Sequence, residues 1–123
     1  MKKILLVDDD VDILEALQIT FELEGYDTLA TSTGNKAFRL VGTFKPDVII
    51  LDMMLDKIDG RDICKRIKKD ESTKEIPIVM ISAYPNASES ILAAGADAFV
   101  AKPFDILEVV TQVSKVMQKS LVA

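Results

Sequence analysis

The chain is predicted to fold as an α/β domain, a doubly wound five-stranded parallel sheet with helices on both faces. Three observations predict it. Five short apolar runs recur along the chain, each followed by a segment whose apolar residues fall at helical spacing. The strongest runs, Ile4-Leu5-Leu6-Val7, Val48-Ile49-Ile50-Leu51 and Ile78-Val79-Met80-Ile81, are continuous rather than alternating, as strands buried on both sides are. A length of 123 residues, 49% of them hydrophobic, suits a single compact domain over 1–123.

Ile4 to Val7 is the first strand. Ile13/Leu14, Leu17 and Phe21 mark one face of the first helix, with Gly25 placed to stop it. Tyr26 to Ala30 reads as a weaker second strand. Thr33 to Val41 reads as the second helix, with Ala37, Leu40 and Val41 on one side and an end near Gly42. Pro46-Asp47 opens the third strand, Val48 to Leu51, which ends at Asp52, and a loop to Gly60 follows. Ile63 and Ile67 mark a third helix whose exposed side is basic through Lys65, Arg66, Lys68 and Lys69. Pro77 to Ile81 is the fourth strand, ending at Ser82. Ser88 to Ala94 forms a short fourth helix stopped by Gly95. Ala98 to Ala101 is the fifth strand, ending at Lys102-Pro103, and the last helix places Leu107, Val110, Val113 and Met117 on one face. Right-handed crossovers then wind the sheet on both sides.

Composition excludes several functions. The net charge is −5, so the surface as a whole repels nucleic acid and anionic membranes, and no direct nucleic-acid binding is expected. Histidine is absent, which removes Ser-His-Asp and Cys-His catalysis and histidine zinc sites. Any phosphohistidine that serves this chain must sit on a partner. The lone cysteine, Cys64, allows no intramolecular disulfide and suits a reducing cytoplasm. It is expected half-buried on the third helix, with flanking cations that could raise its reactivity. The first apolar run stops at Asp8, too short for a signal peptide, and no stretch reaches the length of a membrane span, so no membrane insertion is expected.

In an open parallel sheet, ligands bind beyond the carboxyl ends of the strands. There the first strand offers Asp8-Asp9-Asp10, the third Asp52, the fourth Ser82 and the fifth Lys102. The flavodoxin-like strand order 2-1-3-4-5 makes the first and third strands neighbours and brings Asp8, Asp9 and Asp52 together. Carboxylates ~4 Å apart at an effective dielectric near 20 repel by about 4 kcal/mol per pair. Such a site either keeps a proton or binds a cation, and hard oxygen ligands with room for water suit Mg²⁺. Asp52 is a candidate nucleophile able to form an aspartyl phosphate. Ser82 and Lys102 are placed to serve phosphoryl oxygens. Taken singly, these residues have plainer roles: the aspartates can cap a helix, Lys102 can be a solvated lysine, and Phe99 can be core. Their meeting at four strand ends favours the chemical role.

The motifs Ile4-Leu5-Leu6-Val7-Asp8-Asp9-Asp10, Asp47-Val48-Ile49-Ile50-Leu51-Asp52, Asp59-Gly60, Ile78-Val79-Met80-Ile81-Ser82-Ala83, Ala94-Gly95-Ala96-Asp97-Ala98 and Lys102-Pro103-Phe104 resemble those of response-regulator receiver domains over the whole chain. The resemblance implies that Asp52 is the phospho-acceptor, fed by a histidine kinase or a histidine phosphotransfer protein. It implies Asp9 as a direct Mg²⁺ ligand, Asp8 acting mainly through metal-bound water, and the Met54 backbone carbonyl as a further ligand. Lys102 would be the phosphate-binding lysine before a cis peptide to Pro103. Ser82 and Phe99 would form the switch, remodelling the fourth helix, fifth strand and fifth helix for an output domain or a downstream protein. Homodimerisation stays open, as does attachment to a longer regulator or a hybrid kinase.

Three departures stand out. Asp56 takes the place of the family's proline after the phospho-acceptor. The stretch from Ser82 to Lys102 is about two residues short. Met54 and Tyr84 occupy positions where the family tunes phosphoryl lifetime, and their bulk implies slow self-dephosphorylation. Two other chemistries fit less well. A haloacid-dehalogenase-like phosphatase needs an aspartate where Met54 stands, and a flavin carrier needs a neutral phosphate loop where Asp8-Asp9-Asp10 stands.

Overall fold

The computed structural model describes residues 1–84 and 86–122, with side chains described through residue 120. Pro85 and Ala123, inside the expected span 1–123, lie outside the described residues. In chain order the elements are β1 (Lys3–Val7), α1 (Val11–Leu23), β2 (Asp27–Thr31), α2 (Gly34–Phe44), β3 (Val48–Asp52), β4 (Met54–Leu55), β5 (Ile58–Asp59), α3 (Gly60–Lys69), β6 (Ile78–Ser82), α4 (Ser88–Ala93), β7 (Ala98–Ala101) and α5 (Ile106–Val122). Five strands form one parallel sheet in the order β2-β1-β3-β6-β7, which is 2-1-3-4-5 counted over those five. The expected fold class and strand order are therefore found.

The continuous apolar runs explain the layers. Successive strand side chains point to opposite faces, so each run feeds two cores. Ile4 and Leu6 of β1, Val48 and Ile50 of β3, and Val79 and Ile81 of β6 pack with Leu14, Leu17 and Phe21 of α1 and Val109 and Val113 of α5. Leu5, Val7, Ile49, Leu51, Ile78 and Met80 pack on the other face with Ala37 and Val41 of α2, Ile63 and Ile67 of α3, and Ile91 of α4. Each fully buried aliphatic side chain stabilises the fold by roughly 1.5–3 kcal/mol of transfer free energy. That sets a rigid floor under the loops at the carboxyl edge.

Several local expectations are corrected. Helix α2 runs through Gly42 to Phe44, because Phe44 packs on the same core as Ala37 and Val41. It closes at Lys45 in a left-handed conformation (φ 53°). Gly25 (φ 92°) follows the Glu24 cap of α1 as expected, but Tyr26 lies outside β2 and sets its ring edge-on to Phe21. The buried stripe of α5 is Val109, Val113, Val116 and Met117 at i, i+4, i+7 and i+8. Leu107 lies off it and is 68% exposed. Cys64 is fully buried rather than half-buried, and burial pushes its thiol up to about 11, the direction opposite to reactivity. Lys68 leaves the basic face, as its ammonium ties the chain before β6 to Asp97. Among the described residues, no helix is long and apolar enough to cross a membrane.

Candidate functional site

Register alone assembles the site. Val7 of β1 pairs with Leu51 of β3, so Asp8 and Asp52 stand side by side one step further along. Asp52 pairs with Ile81, and Ser82 with Ala101, which brings Ser82 and Lys102 to the same edge. The Lys102 N–H donates to the Ser82 carbonyl at 2.8 Å, and the Lys102-Pro103 peptide is cis.

Asp8, Asp9 and Asp52 offer carboxylate oxygens that lie within 4.8 Å of one another. Asp8 and Asp52 are buried, and Asp9 is exposed. The Lys102 ammonium donates to Asp52 Oδ2 at 3.1 Å and lies 3.4 Å from Asp8 Oδ2. One cation therefore faces two buried acids, with the exposed Asp9 beside them. Asp8 Oδ1 accepts the Asp10 N–H at 2.9 Å, but Asp8 Oδ2 is buried without a hydrogen-bond partner among the described residues. The third aspartate of the run does what a cap does: Asp10 accepts the N–H groups of Asp12 and Ile13 at the start of α1.

Burial and the neighbouring Asp8 charge push Asp52 up to about 6, against the opposing pull of Lys102. Burial likewise raises Asp8, only partly offset by the Asp10 N–H and by Lys102. Burial disfavours the charged form of Lys102, but the Asp8 and Asp52 carboxylates outweigh it and raise the ammonium. Clustered carboxylates, one with a buried oxygen that makes no hydrogen bond among the described residues, are a fitting donor set for a hard divalent cation.

The segment after Asp52 is a small hairpin, not an irregular loop. Met54 pairs with Asp59 and Leu55 with Ile58. Asp56 turns it with φ 58°, a conformation that proline, fixed near −65°, does not adopt. Asp suits this turn, since it enters the left-handed region more readily than most residues. Its N–H donates to Asp9 Oδ2 at 3.2 Å, so Asp9 also holds the hairpin. Gly60 donates its N–H to the Met53 carbonyl, and a Cβ there would collide with the Asp52 carbonyl oxygen. Only glycine lets α3 start that close to Asp52.

The two switch candidates lie on the neighbouring strands. The Ser82 hydroxyl accepts the Tyr84 N–H at 2.9 Å and faces Met53 Sδ at 3.6 Å, so in this structure it is not spent on Asp52. Phe99 is half-buried on β7 against the core shared by α2, α3 and α4. Met54 (38% exposed) and Tyr84 (54% exposed) line one surface cavity with Arg61 and Ser90.

The sequence matches the model of the response regulator receiver domain over residues 4–114. The chain belongs to the response-regulator receiver family. This receiver domain is 38% identical over 124 residues to the alkaline phosphatase synthesis transcriptional regulatory protein PhoP of Bacillus subtilis, covering 99% of this chain and 51% of that protein. It is 36% identical over 122 residues to the DNA-binding dual master transcriptional regulator RpaA of Synechocystis, covering 98% of this chain and 51% of that protein. The chain thus spans about half the length of these curated relatives. The receiver domain of the Francisella response regulator 1452 superposes with a TM-score of 0.87 at 30% identity, covering 98% of this chain and 99% of that one. As a receiver domain of two-component response regulators, the chain is a signalling module.

The receiver motifs included Asp59 without its role as a cap, and they did not include Arg61. Asp59 caps α3 by accepting the Arg61 N–H at 2.9 Å, which a capping residue just before a helical run could have signalled. Arg61 itself carried no sequence signal. Its contact with Ser90 exists only because the start of α3 lies beside α4.

Proposed function

We propose that this receiver takes a phosphoryl group onto Asp52 from a phosphohistidine on a partner kinase or phosphotransfer protein. Residues 1–123 are read as one such domain, acting in the cytoplasm. The observation that carries this reading is the Lys102 ammonium, 3.1 Å from Asp52 Oδ2 beside the buried Asp8. A lysine paired to a nucleophilic carboxylate, with a second carboxylate left over, can turn to a phosphoryl oxygen once Asp52 is esterified.

Asp8, Asp9, Asp52 and the Met54 backbone carbonyl would hold Mg²⁺, with Asp8 acting mainly through water. When bound, the ion supplies positive charge to the phosphoryl oxygens and relieves the repulsion among the acids. The Asp52 Oδ–P bond forms as the donor's N–P bond breaks, and the electron pair leaves with the imidazole. Lys102 neutralises a phosphoryl oxygen. Ser82 turns from Tyr84 and Met53 to donate its hydroxyl to another. Phe99 moves inward behind Ser82, and the surface of α4, β7 and α5 is remodelled for an output domain or a downstream partner, a population shift driven by these new contacts. Beyond transfer to itself and hydrolysis of its own aspartyl phosphate, the domain catalyses nothing. Among the described residues this reading uses no nucleic-acid surface.

The test is intact mass after incubation with acetyl phosphate, with and without Mg²⁺. Gain of one phosphoryl group by the wild type with Mg²⁺, and none by Asp52→Asn, is the expected result. Gain by Asp52→Asn, or the same gain in a chelator, would refute the assignment.

A further inference from the structure

The guanidinium of Arg61 spans three elements. Its Nε donates to Asp59 Oδ1 at 2.9 Å and Oδ2 at 3.1 Å, and its Nη2 to Asp59 Oδ2 at 2.6 Å. Its Nη1 donates to Ser90 Oγ at 3.0 Å, and Ser90 donates in turn to the Ala87 carbonyl at 2.9 Å. Asp59 is the residue paired with Met54 across the hairpin, and Gly60 is fastened to Met53 beside Asp52. A short, polar path therefore runs from the phospho-acceptor's own strand end, through Met54, Asp59 and Arg61, to the middle of α4. Guanidinium geometry suits this: one planar fork grips a carboxylate with two nitrogens and still offers a third to a hydroxyl. The hydrogen bonds of Arg61 hold the Asp59 carboxyl below the usual carboxylate range, which marks the pair as formed with the acid ionised.

The same contacts shape water access. Arg61, Met54, Tyr84 and Ser90 line one cavity that reaches Met53, the residue after Asp52. If α4 moves, Arg61 loses Ser90, the Asp59 end of the hairpin loosens, and Met54 shifts in the cavity wall.

We propose that Arg61 is a positioning residue that couples α4 to the hairpin beside Asp52, so that the state of α4 sets how well Met54 shields the aspartyl phosphate. Because coupling is reciprocal, whatever binds α4 then also changes the lifetime of the phosphoryl group. The lifetime part rests on the phosphorylation of Asp52 proposed above, whereas the mechanical part does not.

Ser90→Ala separates the two, because Ser90 is on α4 and its side-chain hydrogen bonds go to Arg61 and Ala87, not to Asp8, Asp9, Asp52, Ser82 or Lys102. Hydrogen exchange on the unphosphorylated protein tests the mechanical part. The N–H groups of Asp56 and Gly60 should exchange about fivefold faster in Ser90→Ala, with α1 and α5 unchanged. Acceleration confined to α4 would overturn the coupling, whether or not the protein accepts a phosphoryl group. The half-life of the aspartyl phosphate tests the rest. It should shorten about fivefold in Ser90→Ala and equally in Arg61→Lys, which keeps the charge but loses the fork. The double variant should be no worse than either single one, as expected for two residues in one path. A half-life equal to wild type in both single variants, at unchanged thermal stability, would overturn the link to lifetime.

Discussion

Two lysines at opposite ends of the sheet invite comparison. Lys68 and Lys102 are almost equally sheltered, with side chains 18% and 19% exposed. Each ties an aspartate to a strand. Lys68 donates to the Ile76 carbonyl at 2.7 Å, to Asp97 Oδ2 at 2.9 Å and to the Lys74 carbonyl at 3.4 Å, and Asp97 also accepts the Ile78 N–H. One cation meets one acid there, and the donors are used. Lys102 instead faces Asp52 and Asp8 with Asp9 close by, and Asp8 Oδ2, 3.4 Å from the ammonium, is buried without a hydrogen-bond partner among the described residues. A completed lysine is structural. An outnumbered lysine leaves negative charge to spare at its end of the sheet, as the proposed function requires.

The largest effect should come from Gly60→Ala. Its Cβ would run into the Asp52 carbonyl oxygen, so the start of α3 must move away from β3. A loss of about 3 kcal/mol or more in urea unfolding, with phosphoryl transfer greatly reduced, is expected. A stable, active variant would break the view that α3 and Asp52 are locked together.

The two lysines should then part company. Lys68→Met should cost on the order of 1–2 kcal/mol of stability, since the Ile76 carbonyl and Asp97 lose their partner, yet intact mass should still show phosphoryl gain. Lys102→Met should abolish that gain. It should also destabilise the fold by roughly 1–3 kcal/mol at neutral pH, by leaving two buried carboxylates without a cation. That loss should shrink as pH falls through the Asp52 range, because protonation removes the uncompensated charge. Equal phosphorylation of the two variants would erase the comparison.

The smallest effect serves as a control away from both ends. Gly42 is exposed on α2, and a Cβ added there would meet nothing within 4 Å. Gly42→Ala should stabilise by about 0.5–1 kcal/mol through helix propensity and leave phosphorylation unchanged.

The sheet and the site are legible in the sequence for the same reason. Strands buried on both faces read as continuous apolar runs, and in a parallel sheet every strand ends at the same edge. The residue after each run, Asp8, Asp52, Ser82 or Lys102, is therefore placed by the runs alone. What stays illegible depends on packing between elements. The turn at Asp56 takes a backbone conformation that no local pattern announces. Gly42 reads as a stop because propensity disfavours it, whereas the burial of Phe44 carries the helix past it. Leu107 reads as core because it is apolar, although the stripe through Val109 and Val113 leaves it outside. Arg61 gives no sign of its role until α4 lies within its reach.

At the centre of the site, Asp52 is held as a carboxylate against the preference of its surroundings. A carboxyl raised to about 6 in the fold, from 3.8, imposes a penalty that is complete above pH 6 and relieved as pH falls toward 3.8. Thermal or urea unfolding of wild type and Asp52→Asn without divalent cation, from pH 4 to pH 8, measures it directly. Asp52→Asn should be the more stable by on the order of 1–3 kcal/mol at pH 7 to 8, with the gap closing as pH falls toward 4, and Mg²⁺ should stabilise the wild type more than the variant. An Asp52→Asn protein less stable than wild type at pH 8, with no response of either to Mg²⁺, would contradict it.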